Sequence, residues 1–247
     1  MKCLWIVMGL LLALNPGGWS RAQSPESFVP AYGKAWVNAL PAPPSDDSPA
    51  GLADLETLLQ VQADRTPAQV ARAQRVEKHT PFLMGSAVFG KWFTSENLPM
   101  TAGFFKNAGG QFHPLLVRAK EKWLRPRPYF RDARVHPCLV APNGTSYPSG
   151  HSATAAIWAE LFSAAFPGQK DAFAAQVRET MWSRVLAGVH FPSDTQAGKI
   201  LGASIGREMV GLPATQRALA EVRREIETYQ RTHPANEMAG PAGISKS

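Results

Sequence analysis

The chain has 247 residues, with 26 lysines and arginines against 19 acids, a net charge of +7 and two cysteines. That length gives ample chain for one buried core. The positive surplus is modest and lacks a Lys/Arg-rich run or a basic stripe interleaved with aromatics, so no nucleic-acid partner is expected, because that affinity comes from clustered phosphate contacts.

The N-terminus carries Lys2, the apolar run Leu4 to Leu14, the breaker Asn15-Pro16-Gly17-Gly18, and small residues at positions 20 and 22. The run is too short to span a bilayer and reads as a secretory leader, residues 1–22, cleaved after Ala22. Its removal leaves 225 residues, and because it holds Lys2 and Arg21 but no acid, the net charge falls to +5. No later segment has 18 uninterrupted apolar residues, so the mature chain is expected to lack a membrane span and to be periplasmic or secreted. Cys3 leaves with the leader and Cys138 stands alone, so no intrachain disulfide forms; in the context HPCLV it reads as a small buried hydrophobe rather than a nucleophile.

Residues 23–50 include PAPPSDDSP, from Pro41 to Pro49, and read as a proline-rich arm. From Leu52 the apolar positions Leu55, Leu58 and Leu59 recur at helical spacing, and Thr66, Pro67 and Gln69 spell the start of a second helix with a capping box. Further helices are predicted over Pro81 to Phe93, Pro99 to Trp123 with a break near Gly109-Gly110, His151 to Phe166, Lys170 to Leu186, Ser193 to Val210, and Pro213 to Gln230. No period-two alternation is sustained, so the expectation is an all-α, single-domain helical bundle over residues 51–232. Residues 233–247 read as a tail without packed structure. Asn143-Gly144-Thr145 matches the glycosylation tripeptide, a pattern too frequent by chance to carry weight alone.

Three segments carry chemistry: KEKWLRPRP from Lys120 to Pro128, PSGH from Pro148 to His151, and SRVLAGVHFPSD from Ser183 to Asp194. Together they supply cations, a hydroxyl, the unpaired N–H groups of a helix start, and two histidines, one followed four residues on by a carboxylate. A tetrahedral oxyanion needs that inventory. Taken singly, each piece has an ordinary structural explanation; their combination does not. Serine and glycine before a helix are common punctuation, and an isolated HxxxD is more often a surface pair.

In these segments the chain resembles the phosphatidic acid phosphatase type 2 superfamily, and within it the secreted class A bacterial acid phosphatases. The family pattern is KxxxxxxRP, then PSGH, then SRxxxxxHxxxD, and every fixed position is matched in order. Arg125-Pro126 is a second Arg-Pro pair, but seven residues before Arg125 stands Arg118, whereas seven before Arg127 stands Lys120, so Arg127 is the anchor.

The resemblance implies a metal-independent phosphomonoesterase on a helical bundle of the phosphatase/haloperoxidase type, with no cofactor. Lys120, Arg127, Ser149, Gly150, His151 and Arg184 would hold phosphate. His190 would be the nucleophile that becomes a phosphohistidine, and His151 the acid for the leaving group. Asp194, in the first turn of a helix capped by Ser193, would hold the second ring nitrogen of His190. Substrates would be small phosphomonoesters, with inorganic phosphate or vanadate as inhibitors. Members of the family commonly self-associate, so a homo-oligomer is one expected state. His79, His113, His136 and His233 match no motif position and are read as structural or exposed. Two rival readings are a vanadium-dependent haloperoxidase on the same scaffold, disfavoured by the short chain, and a non-catalytic phosphate- or phospholipid-binding protein, disfavoured by two histidines and an aspartate that binding alone does not need.

Overall fold

The structure is a computed structural model and describes residues 26–30 and 33–233. The leader and all but the first residue of the expected tail lie outside the described residues. Those described fold into ten α-helices and a short 3-10 turn, with no strand among them. The helices are α1 (Gly33–Ala39), α2 (Pro49–Asp64), α3 (Pro67–Glu77), α4 (Pro81–Phe89), α5 (Pro99–Trp123), α6 (Pro128–Arg131), α7 (Gly150–Ala165), α8 (Lys170–Leu186), α9 (Pro192–Gly211) and α10 (Pro213–Thr232). Among the described residues, no helix is long and apolar enough to cross a membrane.

Local signals set most helix starts. The Ser48 hydroxyl accepts from Gly51 N at 3.1 Å to open α2, and the Thr80 hydroxyl accepts from Leu83 N at 3.0 Å to open α4. At α3 the capping box is closed in both directions, Gln69 N to Thr66 Oγ1 at 3.3 Å and Thr66 N to Gln69 Oε1 at 2.8 Å. A long-range cap opens α5: the Glu225 carboxylate, on α10, accepts from Met100 N and Thr101 N, both at 2.8 Å. Each of these pairs satisfies an amide that the helix itself leaves unpaired.

Four expectations change. The predicted arm contains α1, and Phe28, Val37 and Leu40 are buried in the main core, so the segment before PAPPSDDSP is packed structure. Helix α4 stops at Phe89 because Gly90 takes φ 111°, and the following turn sends Trp92 and Phe93 into the core. Helix α5 continues through Gly109-Gly110 without the predicted break. Its buried face holds Phe104, Phe105, Phe112, Leu115 and Leu116, each worth about 1.5–3 kcal/mol of burial against about 1 kcal/mol lost per helical glycine. Finally, α9 is capped by Phe191 and begins at Pro192, which places Ser193 inside the helix rather than at its cap.

Helix α7 runs through the middle of the bundle, with Ile157, Leu161 and Phe162 fully buried. Phe162 stacks on Phe173 of α8 at 4.9 Å and meets Phe105 of α5 at 4.6 Å. On its other side α7 lies against α9 across Gly198, Gly202 and Gly206, spaced four apart on one face. A Cβ at Gly198 would stand 2.3 Å from Ser149 O, at Gly202 2.0 Å from Ala153 O, and at Gly206 2.8 Å from Glu160 Cβ. The helices therefore approach backbone to backbone. This contact brings the PSGH turn against the HFPSD turn, and Ser149 N donates to Asp194 O at 2.9 Å to latch the two.

Candidate active site

Each chemical segment stands at a helix end. Lys120 is in the last turn of α5, Arg127 caps α6, Ser149 caps α7 with Gly150 and His151 as its first residues, and Arg184 is in the last turn of α8. Gly188, at φ 74°, turns the chain sharply after α8 and delivers Val189-His190 to the site just before α9 begins. Helix ends expose unpaired backbone groups and let side chains converge from several directions.

His190 is 2% exposed. Its Nε2 lies 3.0 Å from Arg127 NH1 and its Nδ1 lies 3.5 Å from Asp194 Oδ2. A guanidinium has donors and no acceptor, so Nε2 must accept; the ring is neutral with its proton on Nδ1, facing Asp194. The Ser146 hydroxyl donates to Asp194 Oδ2 and sits 3.5 Å from His190 Nδ1, so it shares the same corner. Asp194 also reaches back from the first turn of α9 to accept from Phe191 N at 2.8 Å. His190 Nδ1 and Asp194 Oδ2 thus face each other, with Ser146 as a third group in this corner that no motif marked.

Lys120 and Arg127 are held by backbone carbonyls. Lys120 Nζ donates to Thr145 O at 3.0 Å; Arg127 donates to Val189 O at 2.9 Å and Gly144 O at 3.3 Å. Arg184 is 1% exposed, and its Nε is buried without a hydrogen-bond partner. Burial pushes Lys120 down to about 8 and Arg184 down to about 10, with Arg127 adding repulsion to Lys120. His151 is pushed down to about 4 by burial first, then by Arg127 and Lys120. His190 is held well below the usual imidazole range by burial and by the same cations with Arg184. Every shift has one sense: burial, with repulsion among the cations added at Lys120, His151 and His190, disfavours positive charge in the ligand-free site, and a bound anion would offset it.

The Ser149 hydroxyl, fully buried, accepts from Ser152 N at 3.4 Å and lies 3.1 Å from Ser152 Oγ. A Cβ added at Gly150 would meet only Lys120 Cε, at 3.7 Å, so no protein neighbour demands glycine there.

Two residues that matched no motif belong to this cluster. Glu77, at the end of α3, accepts from Arg184 NH1, and its carboxylate lies 3.7 Å from His151 Nε2. His79 follows in the left-handed region at φ 35°, and its ring packs between those of His151 and Trp158, each 4.5 Å away. His79 is therefore a structural neighbour of the site, with a buried Nε2 that has no partner and a pKa well below the usual range from burial and from His151. The sequence signal available was only the strong capping at Thr66 and Thr80, which fixes the corner that presents both residues. Cys138 is half-buried and free, and makes a long contact from Sγ to Leu186 O at 4.0 Å. Among the described residues, no three or more His, Cys, Asp or Glu side chains cluster as a metal site.

Residues 101–217 match the family model described as the PAP2 superfamily. Over 198 residues the chain is 31% identical to the non-specific acid phosphatase of Salmonella typhimurium, covering 76% of this chain and 78% of that one. It is 30% identical over the same shares to the non-specific acid phosphatase of Salmonella typhi. The non-specific acid phosphatase of Providencia stuartii is 30% identical over 148 residues, 57% of this chain and 59% of that one.

Proposed function

Because this chain belongs to the PAP2 superfamily, alongside the bacterial non-specific acid phosphatases, it is a phosphatase, and we propose that it hydrolyses small phosphomonoesters through a phosphohistidine at His190. One observation carries the mechanism: the buried His190 places Nε2 3.0 Å from Arg127 NH1 and Nδ1 3.5 Å from Asp194 Oδ2, an arrangement that a neutral ring protonated on Nδ1 satisfies.

Phosphomonoester hydrolysis is very slow in water, and most of its catalysis is positioning and neutralisation of charge on the phosphoryl oxygens. Lys120, Arg127 and Arg184 converge to supply that charge, and the Ser149 hydroxyl and Gly150 N–H add donors at the positive end of α7. As phosphate enters, Arg127 exchanges His190 Nε2 for a phosphoryl oxygen and frees the lone pair. Nε2 then attacks phosphorus, the P–O bond to the leaving group breaks, and protonated His151 gives its Nε2 proton to the departing oxygen. The ring of the phosphohistidine is positive, and Asp194 compensates it. Water next attacks phosphorus, losing a proton to His151, as the P–N bond breaks and phosphate leaves. Glu77 must give up Arg184 for this to happen; its side chain is 38% exposed and has room to turn outward.

The leader reading fits export to the periplasm or the medium, and N-terminal sequencing of the mature enzyme checks cleavage after Ala22. The primary test is p-nitrophenyl phosphate hydrolysis by the purified protein in excess EDTA, with phosphate and vanadate as competitive inhibitors. Activity that EDTA abolishes and a divalent metal restores would overturn the metal-independent mechanism. Bromide-dependent peroxidase activity with vanadate, in the absence of phosphatase activity, would replace the function itself.

A further inference from the structure

Arg125, the arginine that fails the phosphate-site register, lies at the back of the site. It is 5% exposed, and NH1 donates to Asp194 Oδ1 at 2.7 Å and to Ser193 Oγ at 2.8 Å, while NH2 donates to Asp54 Oδ2 at 3.0 Å. Asp54 belongs to α2 and is 6% exposed; its Oδ1 accepts from Ser193 N at 3.0 Å, and its Oδ2 accepts from the Ser193 hydroxyl. The Arg125 guanidinium also lies 4.2 Å from the Phe191 ring centroid, which fixes its plane. We propose that Arg125, gripped by Asp54, is a positioning residue for the Asp194–His190 pair, so that α2, N-terminal to the residues matched by the family model, is part of the catalytic apparatus.

The argument is one of orientation and charge. Asp194 is fully buried and uses Oδ2 for Phe191 N, Ser146 and the side facing His190, which leaves Oδ1 to Arg125. A planar guanidinium grips both aspartates at once through different nitrogens and so sets the angle of the Asp194 carboxylate, which an ammonium on a flexible stem does poorly. Charge decides why two acids are needed. Arg125 paired with Asp194 alone would cancel the negative charge that His190 requires when its ring becomes positive. With Asp54 sharing the guanidinium, the buried trio of one cation and two carboxylates keeps a net negative charge next to His190 Nδ1. Arg125 therefore orients Asp194 without spending its charge, and Asp54 is what makes that work.

This inference rests on His190 as nucleophile, and the experiment separates the two. Arg125→Ala, Arg125→Lys and Asp54→Asn are compared with wild type for melting temperature, kcat and KM on p-nitrophenyl phosphate, Kd for inorganic phosphate, and the rate of labelled phosphoenzyme formation. Groups that orient the ligands of metal sites contribute about 10- to 100-fold, and a loss of the same order is expected in kcat and phosphoenzyme formation for Arg125→Ala, with phosphate Kd close to that of wild type. Arg125→Lys recovers part of the rate, and Asp54→Asn loses about tenfold, the low end of that range, while binding phosphate normally. Folded variants that melt lower but keep wild-type kcat would overturn the proposal, because the trio would then be only a tie between α2 and α9. Weakened phosphate binding at unchanged kcat would also overturn it, by making Arg125 a phosphate ligand. Should Arg125→Ala fail to fold, Asp54→Asn and Arg125→Lys decide, and wild-type kcat in both refutes the role. A wild type that forms no phosphohistidine refutes the nucleophile reading itself.

Discussion

Gly202→Ala tests whether the backbone contact between α7 and α9 builds the site. The added Cβ would stand 2.0 Å from Ala153 O and 2.7 Å from its carbonyl carbon, both in the backbone of α7. An unstrained carbon-to-oxygen contact is about 3.3 Å or more, so the helices must part by about 1 Å. Overpacking of this kind costs about 1–3 kcal/mol, which for a domain of this size is a fall in melting temperature of about 3–10 °C. The functional effect should be larger in proportion, because α7 carries Ser149 and His151 while α9 carries Asp194 and abuts His190. A 1 Å misplacement of reacting groups costs about 100-fold in rate, and that is the expected loss in kcat per folded molecule. Gly103→Ala on α5 is the internal control: no atom lies within 4 Å of its Cβ position, so it should be neutral or stabilise by about 0.5–1 kcal/mol through helix propensity. Thermal melts and kcat on p-nitrophenyl phosphate measure both. A Gly202→Ala enzyme with wild-type melting and turnover would refute the claim that this contact sets the site's geometry.

Three further predictions concern charge. In the ligand-free protein His151 titrates near 4, below its ordinary 6.5 through burial and then Arg127 and Lys120, although Glu77 lies 3.7 Å away. A bound phosphate should cancel that repulsion and raise the value, so imidazole NMR should show His151 moving upward on adding phosphate, and the alkaline limb of kcat should lie above that of kcat/KM. No movement, or a downward one, contradicts the mechanism. Because folding depresses this pKa, the unfolded chain binds the extra proton between about pH 4 and 6.5, so the stability of the ligand-free protein should rise with pH across that window. His79 and His190 are shifted in the same sense. Glu77→Gln removes a carboxylate that competes with phosphate for Arg184; allowing for its partial exposure, the Ki for phosphate should fall about 5-fold, or about 1 kcal/mol. An unchanged or higher Ki would show that Glu77 does not compete.

Much of the architecture was legible because local chemistry wrote it: the capping box at Thr66 and Gln69, the proline-led helix starts, and the three spaced motifs that mark Lys120, Arg127, Ser149, His151, Arg184, His190 and Asp194. What stayed hidden depends on contacts between distant segments. The glycines at 198, 202 and 206 carry no local signal within α9, and their use appears only where α7 lies against them. Arg125 looked like a misregistered anchor because its partners, Asp54 and Asp194, stand 71 and 69 positions away. Ser146, Glu77 and His79 match no motif, and only the fold brings them to the histidines. Ser193 suggested a helix cap, yet its donors were claimed by Asp54, a competition no local pattern displays.

Rapid-quench trapping with phosphate-labelled substrate tests the central claim most directly, since it asks whether phosphorus bonds to His190. Wild type should accumulate an acid-labile phosphoenzyme. His151→Ala should still form it from p-nitrophenyl phosphate, whose leaving group needs little protonation, while failing on alkyl phosphates. His190→Ala should form none. Label retained by His190→Ala and absent from His151→Ala would reverse the two roles, and label absent from wild type under conditions that slow dephosphorylation would contradict the phosphohistidine mechanism in favour of direct attack by water.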